Sequence, residues 1–279
     1  MKLQNHHYGK AKVRALKVFR ASAPWFLKEI EVFVILEGEF ERSYTNADNS
    51  SIVATDTIKN TINVLAQKEL GPAIEPFACL VADHFLQKYS QVTSVTVEIA
   101  ERSWQNMEFG TQKAPTSFTS SQKATPFTRV TGTAGGFTVT SGIRDLIILK
   151  ASESAFEGYL KDELTTLPET NDRLLATNMM GSWVYQSTPP DYRVVNMRVL
   201  DKMLEVFATH FSPSVQATLF QMGEAALAAV PEINRISLTM PNLHCLLIDL
   251  KPFELENKNE LFVPTDAPQG WIEATIVRD

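Results

Sequence analysis

The order of hydrophobic periods constrains this chain most: two strands, two helices, two strands, and then the same order again. Alternating apolar residues predict strands over 11–20 and 29–41, the second through Ile30, Val32, Val34 and Leu36. Helical spacing follows over 55–69, with Ile58, Ile62 and Leu65 in one stripe, and over 73–90 after Gly71-Pro72. A strand returns over 93–104 on Val95, Val97 and Ile99. The second half predicts strands over 137–150 and 178–187, helices over 194–211 and 214–230, and a strand over 234–250. Gln91–Val97 (QVTSVTV) aligns with Glu232–Leu238 (EINRISL) at an offset of 141 residues. Order and spacing carry this repeat rather than matched letters, and they divide the chain into 1–140 and 141–279.

The pattern predicts an α+β fold, an antiparallel sheet with both helices of each half on one face. The other face and the sheet edges then need cover, which predicts association with copies of the chain. The stretch 107–136, rich in Thr, Ser, Gly and Lys and punctuated by Phe109, Phe118 and Phe127, reads as exposed hairpin strands and loops.

Bulk composition narrows the function. At 279 residues, 44% hydrophobic and 21% charged, the chain reads as a soluble globular protein with a substantial core. A net charge of −6 argues against a nucleic-acid surface. The most basic stretch, Lys10–Arg20, alternates with Val13, Leu16 and Val18 and reads as a strand with a solvated basic face. Cys79 and Cys245 lie in apolar segments and read as buried free thiols, which points to a reducing compartment. Residues 1–7 hold no apolar signal core, and no stretch has the length of a membrane span. Val277-Arg278-Asp279 is not a peroxisomal address, so a cytoplasmic location is expected.

Chemistry concentrates at a strand-to-helix junction. Ile52-Val53-Ala54 runs straight into Thr55-Asp56 and the helical stripe, which puts a hydroxyl and a carboxylate beside the free N–H groups of a helix start. One reading is an N-cap, worth about 1 kcal/mol; the other is a site. Four further segments stand out. Tyr8-Gly9-Lys10 precedes the first strand, and Phe156–Glu169 leads to Asp172-Arg173. Ser214-Val215-Gln216-Ala217-Thr218 opens the last helix, and Met240-Pro241-Asn242-Leu243-His244 interrupts the last strand, which then resumes through Leu250.

In kind, order and spacing these five segments resemble the urate oxidase (uricase) family of tunnelling-fold proteins, from Tyr8 to the C-terminal region. The resemblance implies two tandem tunnelling-fold domains, 1–140 and 141–279, closing into a β-barrel as a dimer and stacking as a homotetramer. It implies urate and dioxygen as substrates and 5-hydroxyisourate and hydrogen peroxide as products. It implies no cofactor, no metal, no nucleic acid and no membrane. Arg173 and Gln216 would grip the carbonyl and ring-nitrogen edge of the substrate, with the Val215 backbone N–H as a further donor, and Phe156 would stack on the purine. Lys10, Thr55 and His244 would form a proton relay, and Asn242 would face the dioxygen or water position. Asp56 would lie beside the substrate through its backbone N–H or carboxylate. In the family the threonine–aspartate pair comes from a neighbouring subunit, so Lys10 and His244 are expected across a subunit boundary from Thr55.

These roles suit the residue types. Urate is a flat anion that a planar guanidinium and an amide can read bidentately. An aromatic ring beneath a purine contributes roughly 1–3 kcal/mol. A lysine in a dry pocket can pass protons through a threonine hydroxyl. Each residue also has a plainer reading. Lys10 would be a solvated lysine, Phe156 core, Arg173 a surface partner of Asp172 or Glu169, Gln216 an exposed capping partner, His244 a core histidine and Asn242 a turn residue. Gly132–Gly136 lacks the Lys-Ser/Thr of a phosphate loop, and His6, His7 and His84 lack partners at metal-ligand spacing. Lys113–Phe118 departs from the family pattern in having no histidine. Two rivals stand beside the uricase reading: another tunnelling-fold enzyme acting on pterins or purines, and a non-catalytic purine-binding oligomer. Arg173 with Gln216 disfavours the first, whose relatives usually anchor with Glu. The Lys10, Thr55 and His244 set disfavours the second.

Overall fold

A computed structural model describes residues 2–120, 123–265 and 267–278. The chain divides into two compact units, Met1–Ile143 with Pro189–Arg193, and Arg144–Thr188 with Val194–Asp279.

In the first unit β1 (Tyr8–Phe19) and β2 (Phe26–Gly38) form an antiparallel hairpin. A short α1 (Glu41–Thr45), then α2 (Thr55–Glu69) and α3 (Glu75–Lys88), lead to β3 (Val92–Arg102), which pairs antiparallel with β2. β4 (Trp104–Phe109) and β5 (Gln112–Ser120) make a separate hairpin. β6 (Thr125–Thr133) then returns to pair with β3, and β7 (Gly136–Lys150) lies beside β6. The exposed-hairpin expectation for 107–136 therefore holds for β4 and β5 and fails for β6, where Thr128 and Val130 are fully buried. Residues 121–122 of that stretch lie outside the described residues. β2 stops at Gly38 instead of running to 41, because the chain turns there: a Cβ at Gly38 would lie 2.0 Å from the Gln91 carbonyl oxygen.

Strand alternation builds the core. Ile30, Val32, Val34 and Leu36 share one face of β2 at no more than 1% exposure, and Val95, Val97 and Ile99 continue that face on β3. α2 covers β1, and α3 covers β3 and β6. The helices contribute Ile58, Ile62 and Ala66, and Phe77, Val81 and Phe85. Each fully buried aliphatic or aromatic side chain stabilises by about 1.5–3 kcal/mol. The basic face expected for β1 is not simply solvated. Lys17 donates to the carbonyls of Ala66, Gln67 and Leu70, 3.0 Å each, and so satisfies the C-terminal end of α2. Lys28, almost fully buried, pairs with Glu101 at 2.6 Å and donates to the Pro72 carbonyl, fastening the α2–α3 connection to the sheet.

The second unit repeats the scheme. β8 (Leu175–Tyr185) follows β7 in the sheet, α4 (Tyr192–Thr209) and α5 (Val215–Ala229) come next, and β9 (Ile233–Thr239) pairs antiparallel with β8. α5 packs on β9, with Leu219, Met222 and Ala226 buried. The strand expected over 234–250 is interrupted at Pro241, as its sequence indicates, but does not resume beside β9. β10 (Asn242–Leu243) pairs with β8, and β11 (Cys245–Leu247) leaves to pair with β12 (Phe262–Pro264). The place beside β9 goes to β13 (Glu273–Val277), a strand the periodicity did not reveal. Cys79 and Cys245 are free, and burial pushes the Cys79 thiol up to about 11, which leaves it unreactive near neutrality. Among the described residues no helix is long and apolar enough to cross a membrane.

Candidate active site

The first unit places Lys10, Thr55 and Asp56 around one helix start. At the head of β1, Tyr8, Gly9 and Lys10 pair with Leu36, Ile35 and Val34, and a bulge follows before Val13. Lys12 sits in that bulge with φ 55°, in the left-handed region. Bulges re-aim neighbouring side chains. Gly9 is required by space, since a Cβ there would lie 1.8 Å from the Val34 carbonyl oxygen. The Tyr8 phenol oxygen accepts the Val53 N–H at 2.7 Å, and burial holds that phenol above its ordinary pKa, hence protonated. On the other side of the same turn, Gln91 Nε2 donates to the Ser51 carbonyl at 2.7 Å.

Thr55 is not the N-cap of α2. Ala54 occupies that position, at φ −53° and ψ 136°, and no side chain caps the helix. Thr55 and Asp56 are the first two helical residues, and both are exposed. Asp56 turns its carboxylate to Lys59 and to Asn60, the latter at 2.9 Å. The hydrogen bond from Lys59 is the main cause holding its carboxyl below the usual range, and Lys10 adds to it. Lys10 therefore acts on Asp56 within one chain. Lys10, Thr55 and Asp56 of one chain thus belong to the same unit, at the same helix start. The helix presents its first-turn N–H groups and the Thr55 hydroxyl outward, an arrangement suited to an anion.

The second unit gathers the other residues. Three chain segments meet after β7. Ala155 N–H donates to the Ser212 carbonyl at 2.7 Å and Ser212 N–H to the Glu153 carbonyl at 2.9 Å. Arg173 N–H donates to the Ser154 carbonyl at 2.9 Å, and Phe156 and Thr170 exchange both backbone bonds. This knot carries Phe156, Arg173 and the approach to Gln216 on one support. Lys150 Nζ, nearly buried, strengthens it by donating to the His210 carbonyl and pairing with Glu153 at 3.4 Å. Thr218 Oγ1 donates to Ser212 Oγ at 2.7 Å, tying the first turns of α5 to the same knot. Thr218 closes one of the five sequence segments, with no role there; Lys150 and Ser212 lie outside those segments, and their only trace in the sequence is proximity to them.

Arg173 is the unusual group. Its guanidinium lies over the Phe156 ring, 5.1 Å from the centroid, and is half-buried. Its Nε is buried without a hydrogen-bond partner among the described residues, and burial holds its pKa below the ordinary value. The acidic residues that could neutralise it are engaged elsewhere. Asp172 accepts from Ser152 Oγ at 2.8 Å, while Glu169 accepts the Gly158 N–H at 2.9 Å and pairs with Lys161 at 3.2 Å. Phe156 is half-buried rather than core, and it stacks on Tyr159 with centroids 4.8 Å apart. Ser214 caps α5 by accepting the Ala217 N–H at 3.1 Å, which leaves Val215 buried and Gln216 exposed in the first turn.

Asn242 and His244 reach the same neighbourhood through β8, which starts two residues after Arg173. Asn242 pairs with Thr177 and Leu243 with Ala176. Asn242 N–H donates to the Gly270 carbonyl at 2.7 Å, and its side-chain nitrogen lies 3.5 Å from His244 Nδ1. His244 is half-buried, and its carbonyl accepts from the Thr265 N–H at 2.9 Å, so the backbone is pinned while the ring keeps one long contact. Among the described residues no three His, Cys, Asp or Glu side chains gather as a metal site. The second unit thus offers a planar cation over an aromatic ring with an exposed amide nearby. The first offers an ammonium and a hydroxyl at an uncapped helix start.

Comparison with known proteins agrees over the whole chain. The family model described as Uricase matches residues 6–131 and 139–273. The chain is 36% identical to the uricase of Dictyostelium discoideum over 279 residues, 99% of this chain and 97% of that protein. It is 37% identical to the uricase of Oryctolagus cuniculus, over 97% of this chain and 93% of the rabbit protein. Among solved structures, the uricase of Arthrobacter globiformis superposes with a TM-score of 0.96 at 34% identity, over 100% of this chain and 96% of that one. The α+β architecture read from the hydrophobic order is that of these structures, the tunnelling fold. By fold, extent of match and identity, the chain belongs to the uricase family.

Proposed function

We propose that the chain oxidises urate with dioxygen and water to 5-hydroxyisourate and hydrogen peroxide, without a metal or organic cofactor. The observation that carries the reading is Arg173, a half-buried guanidinium with no acidic partner among the described residues, lying over an aromatic ring. Such a group suits a flat anion whose charge it offsets as water leaves. Gln216 and the Val215 N–H complete the grip on the ring edge, and Phe156 stacks on the purine. Urate, once deprotonated, is electron-rich enough to reduce dioxygen itself. The protein then has to orient it and move protons. Lys10, Thr55 and His244 are the relay in this reading, and Asn242 faces the dioxygen or water position.

The two sets of residues lie in different units, and the reading joins them in an assembly. Lys10, Thr55 and Asp56 of one subunit would face Phe156, Arg173, Val215, Gln216, Asn242 and His244 of another, within a homotetramer built as a dimer of dimers. The domains would be 1–140 and 141–279. Exposed apolar side chains support association: Leu160 and Leu164, in the loop after Phe156, are 92% and 81% exposed. A cytoplasmic location belongs to the same proposal. Arg173 with Gln216 favours urate over a pterin or guanine-nucleotide substrate.

Binding and turnover separate the roles. Arg173→Ala is expected to abolish binding of urate and of xanthine alike, measured anaerobically by titration calorimetry. Lys10→Met is expected to keep xanthine affinity and cut kcat by roughly 10²-fold or more, the scale of general acid–base contributions. Unaltered xanthine affinity in Arg173→Ala would remove Arg173 from the anchor role, and full turnover in Lys10→Met would remove Lys10 from the relay.

A further inference from the structure

We propose that the Tyr8 hydroxyl is a positioning group that sets Lys10 against the Thr55–Asp56 helix start, and so governs turnover without touching substrate; the inference rests on the relay reading of Lys10 and Thr55. Tyr8 and Lys10 are two residues apart on β1, so their side chains share one face of the strand. Gly9 between them presses its backbone on β2, where a Cβ would meet the Val34 carbonyl oxygen at 1.8 Å. Regular pairing ends immediately after Lys10, at the bulge that holds Lys12 at φ 55°. The three residues therefore form a short rigid segment that cannot slide along its neighbour.

From that segment the Tyr8 oxygen reaches across to the Val53 N–H at 2.7 Å. Val53 is 5% exposed, so this amide would otherwise be a buried unpaired donor. Val53 lies two residues before Thr55, and no side chain caps the intervening Ala54. The helix start is thus held from outside rather than by a cap of its own. One phenol oxygen joins the strand that carries Lys10 to the turn that carries Thr55. The ring is also fixed in place: it packs edge-on against Phe40, centroids 4.8 Å apart at 80°, and Phe40 is fully buried. Tyr8 is close to Lys10 in sequence yet has no task in proton transfer, and positioning gives it one.

Removing the hydroxyl leaves the ring packing intact and frees the turn before Thr55. A misplacement of about 1 Å can cost about 10²-fold in rate. Tyr8→Phe, Lys10→Met and the double variant are compared for kcat on urate, xanthine affinity and thermal midpoint. Tyr8→Phe is expected to lower kcat roughly tenfold to a hundredfold while holding xanthine affinity within about twofold. In the Lys10→Met background the same change is expected to add no further loss, because the two act as one unit. An unchanged kcat in Tyr8→Phe, with Lys10→Met slow, would overturn the inference and leave the relay standing. Equal losses with and without Lys10 would show a merely structural effect and overturn it too. Full activity in Lys10→Met would instead fault the relay.

Discussion

At the scale of single residues, the second-unit cluster is held by what surrounds Arg173 rather than by any one bond to it. Asp172 and Glu169 take Ser152, Gly158 and Lys161 as partners, and the guanidinium is left with an aromatic face. Phe156 then matters for its surface, not for core packing. Phe156→Leu keeps the volume nearly apolar and loses the π face, about 1–3 kcal/mol of stacking. Xanthine Kd is expected to rise roughly 5- to 150-fold, with kcat at saturating urate much less affected, as measured by calorimetry and steady-state kinetics. The residue types of this cluster were legible in the sequence only through their joint order. Taken singly, Arg173 beside Asp172 reads as a surface ion pair, and nothing in the sequence shows Asp172 turned to Ser152. Of the two readings of Thr55, the cap fails for a related reason. A threonine before a helical stripe is good capping chemistry, but the backbone places the cap one residue earlier, on an alanine.

At the scale of elements, strands and helices with clean periods were read to within a few residues, as for α2 and α3. The failures have physical causes. The strand over 234–250 is expected to resume after its interruption at Pro241, yet proline cannot donate to a ladder, and the chain changes partners there. β6 reads as polar because threonine dominates it, while its position between β3 and β7 buries alternate residues. Lys28 shows how one side chain secures several elements. It joins β2, the α2–α3 connection and Glu101 on β3, and burial raises the Glu101 carboxyl above its usual range even beside this cation. Lys28→Met leaves that carboxylate buried and unpaired. Such a break costs about 3–5 kcal/mol, expected as a lower denaturation midpoint in urea. Adding Glu101→Leu is expected to recover most of the loss, and failure to recover would assign the effect to the Pro72 contact instead.

At the scale of the whole molecule, the twofold order of elements was the strongest sequence signal, and the structure shows that order in each unit. The halves differ in what they carry. The first brings a lysine and a threonine to a helix start, and the second brings an aromatic-backed arginine, a glutamine and a histidine. In the proposed reaction, which needs both a grip on the purine and a route for protons, neither set alone would suffice, and activity is expected only of the assembled protein. Its central claim, that this chain turns over urate without a cofactor, is tested most directly by aerobic assay of chelator-treated protein. The assay follows loss of the urate ultraviolet band together with peroxide formation. The account predicts undiminished turnover, with one peroxide formed per urate consumed; no loss of urate, or turnover that returns only when a metal is restored, would contradict it.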